Sequence, residues 1–170
     1  MTNVFEKHSA KFTGVWSLLT YEMFDSEGPD RKLLSKPHGD EPLGKVVISK
    51  SGYLSAILVP SSVLSPLPSD YLVEASDEAL ARICRRLSTY SGFMTLLERE
   101  DGGFLWHTMV EVSNNPNWVG KEQSRRVDYF EENGEAFMIL RPVKDYLLPV
   151  GFSRPELVVG SQRLTGGLGW

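Results

Sequence analysis

Between Gly92 and Pro142 the chain reads as four alternating segments separated by turn signals, and this run constrains the fold more than any other. Gly92–Glu100 and Phe104–Ser113 are joined by Asp101-Gly102-Gly103; Glu122–Phe130 and Ala136–Pro142 are joined by Asn133-Gly134. Asp-Gly and Asn-Gly accept the positive φ of tight hairpin turns, and apolar/polar alternation marks strands that bury one face. A longer corner, Asn115-Pro116-Asn117-Trp118-Val119-Gly120, links the two hairpins.

The same grammar extends to both sides. Gly14–Phe24 predicts a first strand, with Trp16, Leu18 and Thr20 on one face and Val15, Leu19 and Tyr21 on the other. Gly44–Ser49 and Tyr53–Pro60 predict a hairpin around Lys50-Ser51-Gly52, and Glu156–Trp170 predicts a last strand. Asp25–Leu43 is long for a connection, which favours a binding or covering role. Pro60–Asp70, crowded with proline and serine, is a loop. One helix is expected over about 77–89, capped by Ser76, with Leu80, Ile83, Cys84 and Leu87 on one stripe. Cys84 is expected to be buried on that stripe. Residues 1–12 are read as a loose polar arm, and 13–170 as one domain. Eight consecutive antiparallel strands close most simply into an all-β, up-and-down eight-stranded β-barrel, wide enough for a filled core or one small ligand.

Composition narrows the function classes. Net charge is −4 over 170 residues, so there is no overall footprint for nucleic acid or an anionic membrane. No apolar run reaches the length of a membrane span, and MTNVFEKHSAKF lacks the apolar core of a secretory signal. With a single cysteine, no internal disulfide can form, and a cytoplasmic, reducing location is the expectation. Arg82, Arg85 and Arg86 are read as a solvated helix face.

Most motifs fail on inspection. Gly39-Asp40-Glu41-Pro42-Leu43-Gly44-Lys45 spells GxxxxGK, but Val46 follows where a hydroxyl is needed, and a strand follows instead of a helix. His8, His38 and His107 have no metal-ligand spacing, so no metal and no cofactor are expected. The remaining candidates lie on the strands themselves. Alternation places His107, Met109, Glu111 and Ser113 on one face, and Trp106, Thr108, Val110 and Val112 on the other. On the next strand Gln123, Arg125, Val127 and Tyr129 share a face, the more apolar one, and so are expected to point inward. An inward guanidinium needs a partner, for which Glu111 or Glu22 is available, or it serves a ligand oxygen. His107 and Glu111, ~13 Å apart along a strand, reach opposite ends of one ligand at most.

The candidate catalytic residues are therefore Arg125, His107 and Glu111. The candidate substrate contacts are Trp16, Tyr53, Ser55, Trp106, Trp118, Gln123 and Tyr129, around a small hydrophobic ligand. Within Ala136–Pro142, Phe137 and Ile139 are expected to face in. That leaves Met138 and Leu140 as an apolar outer face, to be covered by the arm, the helix or the second subunit of a homodimer.

Several segments together carry a resemblance: Gly14-x-Trp16-x-Leu18, Pro37-x-Gly39, Gly52-Tyr53-Leu54-Ser55-Ala56, Tyr90-Ser91-Gly92, Val110-Glu111-Val112-Ser113, Pro116-Asn117-Trp118-Val119-Gly120 and Gln123-x-Arg125-Arg126. In this order they resemble the lipocalin-like domain family of small bacterial and fungal proteins. The resemblance implies an antiparallel barrel. Through fungal members encoded beside natural-product pathways, it also implies a cofactor-independent isomerase, cyclase or dehydratase acting in the lumen, with a carrier or a solid interaction module as alternatives. The family often has His at the position of Thr108; here the imidazole stands one place earlier, at His107, on the opposite face of the strand.

Overall fold

The computed structural model describes residues 2–143 and 156–164. In chain order it contains α1 (Phe5–Phe12), β1 (Gly14–Phe24), β2 (Leu33–Ser35), β3 (Pro42–Ile48), β4 (Tyr53–Pro60), α2 (Asp77–Cys84), β5 (Ser88–Glu98), β6 (Phe104–Ser113), β7 (Glu122–Glu132), β8 (Glu135–Pro142) and β9 (Glu156–Arg163). All strand pairs are antiparallel, in the order β2-β1-β3-β4-β5-β6-β7-β8-β9, and β9 returns to β1. The result is a closed eight-stranded up-and-down barrel, with the three-residue β2 added at the far end of β1. Closure removes the sheet edges that would otherwise invite pairing with another chain.

The turns explain the meander. Asn133 and Gly134, with φ of 52° and 80°, form the mirror-image turn that suits the twist of paired strands. Gly92 has a different role. The β5–β6 register slips between Ser91 and Gly92, and a Cβ on Gly92 would lie 1.9 Å from the Met109 carbonyl oxygen. Only glycine allows this approach of two backbones.

Three sequence expectations need correction. The N-terminal arm is not loose: α1 closes one end of the barrel, with Phe5 and Phe12 buried. These rings are seven residues apart, so one helix face presents both. Full burial of such a ring is worth about 1.5–3 kcal/mol. Asn3 fastens the approach, its Oδ1 accepting from Leu96 N and from Phe5 N, each at 3.0 Å. On the solvent side Lys7 Nζ and His8 Nε2 reach Glu98 Oε1 at 2.7 and 2.6 Å.

The predicted helix over 77–89 ends at Cys84, because Ser88 already pairs with Leu58 as part of β5. Ser76 caps it as expected, Oγ accepting from Ala79 N at 3.2 Å. Its stripe is not core, however: no residue of α2 is buried, and Cys84 is exposed.

On β8 the faces are the reverse of the expectation. Met138 pairs with Tyr129 and with Ser161, and Leu140 with Val127 and Val159, inside the barrel. Met138 is fully buried and Leu140 nearly so. Phe137 lies outside, its ring stacked on Phe130 with centroids 5.4 Å apart. Both faces of this strand are apolar, so alternation cannot choose between them; register does. A homodimer through Met138 and Leu140 has no surface there to use.

The interior is unequal along its axis. At the α1 end Phe12 meets Phe104 and Tyr129 with ring centroids 5.2 and 5.7 Å apart, and Tyr129 meets Trp16 at 6.4 Å. Trp16 Nε1 donates to Phe12 O at 2.8 Å, which satisfies the one polar atom of a fully buried indole. Short turns lie at this end. At the other end run the longer connections 25–41, 61–87 and 114–121, and there the packing opens.

Candidate functional site

The open end contains a cavity of about 70 Å³, walled by apolar side chains from seven strands, among them Leu18, Val46, Ala56, Leu58, Leu140 and Val159. Polar residues on its wall are Arg125, Lys45, Tyr21, Tyr90, Ser88 and Ser161, and the Lys45 amine donates to Ser17 Oγ. Among the described residues, no carboxylate or imidazole lines it.

Arg125 stands on β7 opposite Trp106 of β6 and Pro142 of β8. Its Nη1 donates to Ser124 O at 2.8 Å, and it enters no ion pair among the described residues. The two acids that the sequence offered as partners are elsewhere. Glu111 Oε2, outside the barrel, accepts from the Tyr53 hydroxyl at 3.1 Å, and Glu22 lies 3.8 Å from Lys36 Nζ. The guanidinium therefore faces an apolar cavity with no carboxylate partner among the described residues.

Trp106 forms the cavity floor. It is buried, and its Nε1 donates to the buried Thr108 Oγ1 at 2.7 Å. Thr108 faces inward, so the adjacent His107 must face outward. There His107 Nδ1 lies 2.8 Å from Glu122 Oε1 and 2.7 Å from Ser124 Oγ.

Tyr21 reaches the cavity through an irregularity. The β1–β9 register shifts between Leu18 and Thr20, so Leu18 and Tyr21 both turn inward and Leu19 is exposed. A bulge inverts the alternation beyond it, which is why Thr20 does not share the Trp16 face as simple counting expects. The Tyr21 ring meets His38, centroids 4.3 Å apart. His38 sits in the loop between β2 and β3 and is 8% exposed, and its Nδ1 has no hydrogen-bond partner. Burial and the nearby Arg86 charge hold its pKa below the usual histidine value, against a hydrogen bond with the Val59 backbone.

Trp118 is at the mouth, half-buried, with its ring edge-on to Tyr90 at 5.9 Å. A short 3-10 turn, Pro116–Trp118, places it there, with Asn115 Oδ1 accepting from Asn117 N at 3.1 Å. Beyond the mouth lies a second, open groove of about 500 Å³ that shares Ser88 and Trp118 with the cavity.

The structure thus brings Arg125, Trp106 and Trp118 together on one cavity. It places Trp16 and Tyr129 in the aromatic plug instead. The Tyr129 hydroxyl, pushed up to about 12 first by burial and then by its bond to Glu131, stays protonated. Gln123 pairs with Thr108 on the inner face but does not line the cavity. Tyr53, Ser55, His107 and Glu111 are outside: Tyr53 packs edge-on to Phe93 at 4.9 Å, and Ser55 Oγ accepts from Ser91 Oγ at 2.9 Å. Sequence reasoning missed Tyr21, His38, Tyr90 and Ser161. The length of the Asp25–Leu43 loop was the one signal that pointed toward His38.

A larger outer groove, about 530 Å³, gathers Arg31, Arg99, Arg126 and Arg141, but it is matched by acids. Arg126 pairs with Glu27, Arg141 with Asp128, and Arg99 with Asp101 and, at 3.8 Å, Asp128. Among the described residues, no group of three or more His, Cys, Asp or Glu side chains is placed to hold a metal ion. No described helix is long and apolar enough to cross a membrane.

A search of curated proteins finds no match to this chain. A family model described as a lipocalin-like domain matches residues 13–148, from the start of β1 past the end of β8. With the closed barrel and its one-ended cavity, that match over most of the sequence means that the chain belongs to the lipocalin-like domain family.

Proposed function

We propose that the barrel binds a small, mostly apolar molecule carrying an oxygen acceptor, which Arg125 engages from the cavity wall. The observation that carries this reading is a guanidinium on an apolar cavity without a carboxylate partner among the described residues. Such a charge loses hydration on burial and regains it only from a partner. A ligand carbonyl or carboxylate is the partner of matching geometry.

The chemistry that this wall suits is cofactor-independent isomerisation or ring closure. The cavity holds an apolar chain in a reactive conformer, and Arg125 polarises the oxygen as charge develops on it. The setting in secondary-metabolite biosynthesis rests on the family resemblance. Dehydration, which needs a proton acceptor, finds less support, because neither His107 nor Glu111 reaches the cavity. The same lack of a carboxylate or imidazole on the lining, among the described residues, favours a carrier as the second reading.

Titration of the intrinsic tryptophan fluorescence with 2-octanone tests binding, since Trp106 and Trp118 both line the cavity. Saturable binding is expected, weakened roughly tenfold by Arg125→Met, about 1.4 kcal/mol, abolished by Leu58→Trp, and unchanged by His107→Ala. Binding that survives Leu58→Trp in a variant with native circular dichroism counts against the lumen. Proton NMR of an allyl vinyl ether, whose sigmatropic rearrangement breaks a C–O bond and forms a C–C bond with no proton acceptor, separates the two readings: conversion to the γ,δ-unsaturated aldehyde above the buffer rate supports the enzyme, and binding without conversion the carrier.

A further inference from the structure

The cavity is too small for a whole ligand of ordinary size. About 70 Å³ admits a chain end or a fragment, whereas small-molecule pockets typically measure ~300–1,000 Å³. The remainder of any larger ligand must leave through the mouth, and the groove beyond is the space it enters. That groove, about 500 Å³, adjoins the cavity at Ser88 and Trp118, which line both.

The groove has one sign of charge. Arg85 and Arg86 lie on its wall, and among the described residues no Asp or Glu does. Neither guanidinium enters an ion pair among the described residues; Arg86 Nη1 only donates to Pro37 O, at 3.3 Å. This sets the groove apart from the outer arginine cluster, where acids answer the cations. The wall is also held in place. Asn114 bridges β5 and the end of β6, its Oδ1 accepting from Thr89 N at 2.9 Å and its Nδ2 donating to Leu87 O at 2.7 Å. His38, on the same wall, is more than nine-tenths buried and keeps a ring nitrogen without a partner.

We propose that the groove receives the anionic end of the ligand, so that the molecule bound is a small amphiphile. Its mostly apolar tail, carrying the oxygen that Arg125 engages, enters the cavity beside Trp106, and a carboxylate at the other end, or another head of like charge, rests against Arg85 and Arg86. This rests on the cavity-binding reading above and names the substrate class for it. Two guanidiniums near one mouth with no acid between them attract such a head group, and solvent at the mouth spares it the cost of full burial.

7-Oxooctanoate and 8-hydroxyoctan-2-one share a thin tail ending in a methyl ketone and differ at the head, which makes them the test pair for the full chain. Calorimetric or tryptophan-fluorescence titration at low salt should show the carboxylate bound about tenfold or more tighter than the alcohol. Each should displace the other. The double variant Arg85→Ala, Arg86→Ala should bring the carboxylate to the level of the alcohol, and 0.5 M salt should act in the same direction. Equal affinities for the pair, or a preference untouched by the double variant, overturns the head-group site while cavity binding stands. A preference lost in Arg125→Met but kept in the double variant moves the carboxylate inside the lumen and also overturns it. Failure of both compounds to bind overturns the cavity reading itself. Circular dichroism of the double variant guards against misfolding, and Arg85→Lys with Arg86→Lys should restore part of the preference.

Discussion

The two ends of this barrel are built from the same strands and do opposite work. At the α1 end Phe12, Trp16, Phe104 and Tyr129 fill the lumen, and Trp16 Nε1 donates to Phe12 O, with Thr13 Oγ1 beside it buried without a partner among the described residues. At the mouth the walls are held by hydrogen bonds, yet among the described residues Arg125 has no carboxylate partner and His38 Nδ1 no hydrogen-bond partner. An end filled with rings supplies stability; a hollow end with a cation on its wall has given some up. Proteins keep such unmet groups where a ligand completes them.

The strongest way to break this comparison is to cut each end in turn. Phe12→Ala removes a fully buried ring and should cost about 3–5 kcal/mol in denaturant unfolding. Trp118→Ala, at the half-buried mouth, should cost well under half of that and chiefly weaken ligand binding. Similar costs at the two ends would remove the distinction.

An intermediate effect is expected where the ends meet. Thr108→Val keeps the shape of the cavity floor but leaves Trp106 Nε1 without its acceptor. Burying that donor unpaired should cost about 1–3 kcal/mol, read as a lower denaturant midpoint with an unchanged m-value.

The smallest effect is a pH dependence at the mouth. His38 has a folded pKa below its unfolded value of about 6.5. Below that value the unfolded chain takes up a proton that the folded one resists, so stability falls as pH falls from about 6.5 toward the folded pKa. His38→Phe should flatten the unfolding free energy between pH 7 and pH 5 relative to the wild type. An unchanged slope would mean that His38 is not the group responsible, and its burial would lose its energetic significance.

Much of the fold was legible because hairpin signals are local. Asp101-Gly102-Gly103 and Asn133-Gly134 mark their turns by backbone chemistry alone, and consecutive antiparallel strands leave few ways to close. The helix α1 was less legible, since Phe5 and Phe12 stand in an otherwise polar run whose apolar face has value only against a barrel end. The site was less legible again. Tyr21 enters the cavity through a bulge at Leu19, and a bulge is a property of two paired strands. Met138 and Phe137 are equally apolar, and only the pairing of β8 with β7 and β9 decides which one is inside. Arg125 was placed on the inner face from the company of Val127 and Tyr129, but Glu111 and Glu22 proved to be out of its reach.

The sequence by itself determined the strands, their turns, the antiparallel order and the family, because each is written in short-range periodicity and residue type. Tertiary structure alone decided that one end of the lumen is solid and the other hollow, that Arg125 has no acid beside it among the described residues, and that the groove with Arg85 and Arg86 adjoins the mouth. Those facts depend on register, closure and desolvation among residues far apart in the chain, and no local pattern encodes them.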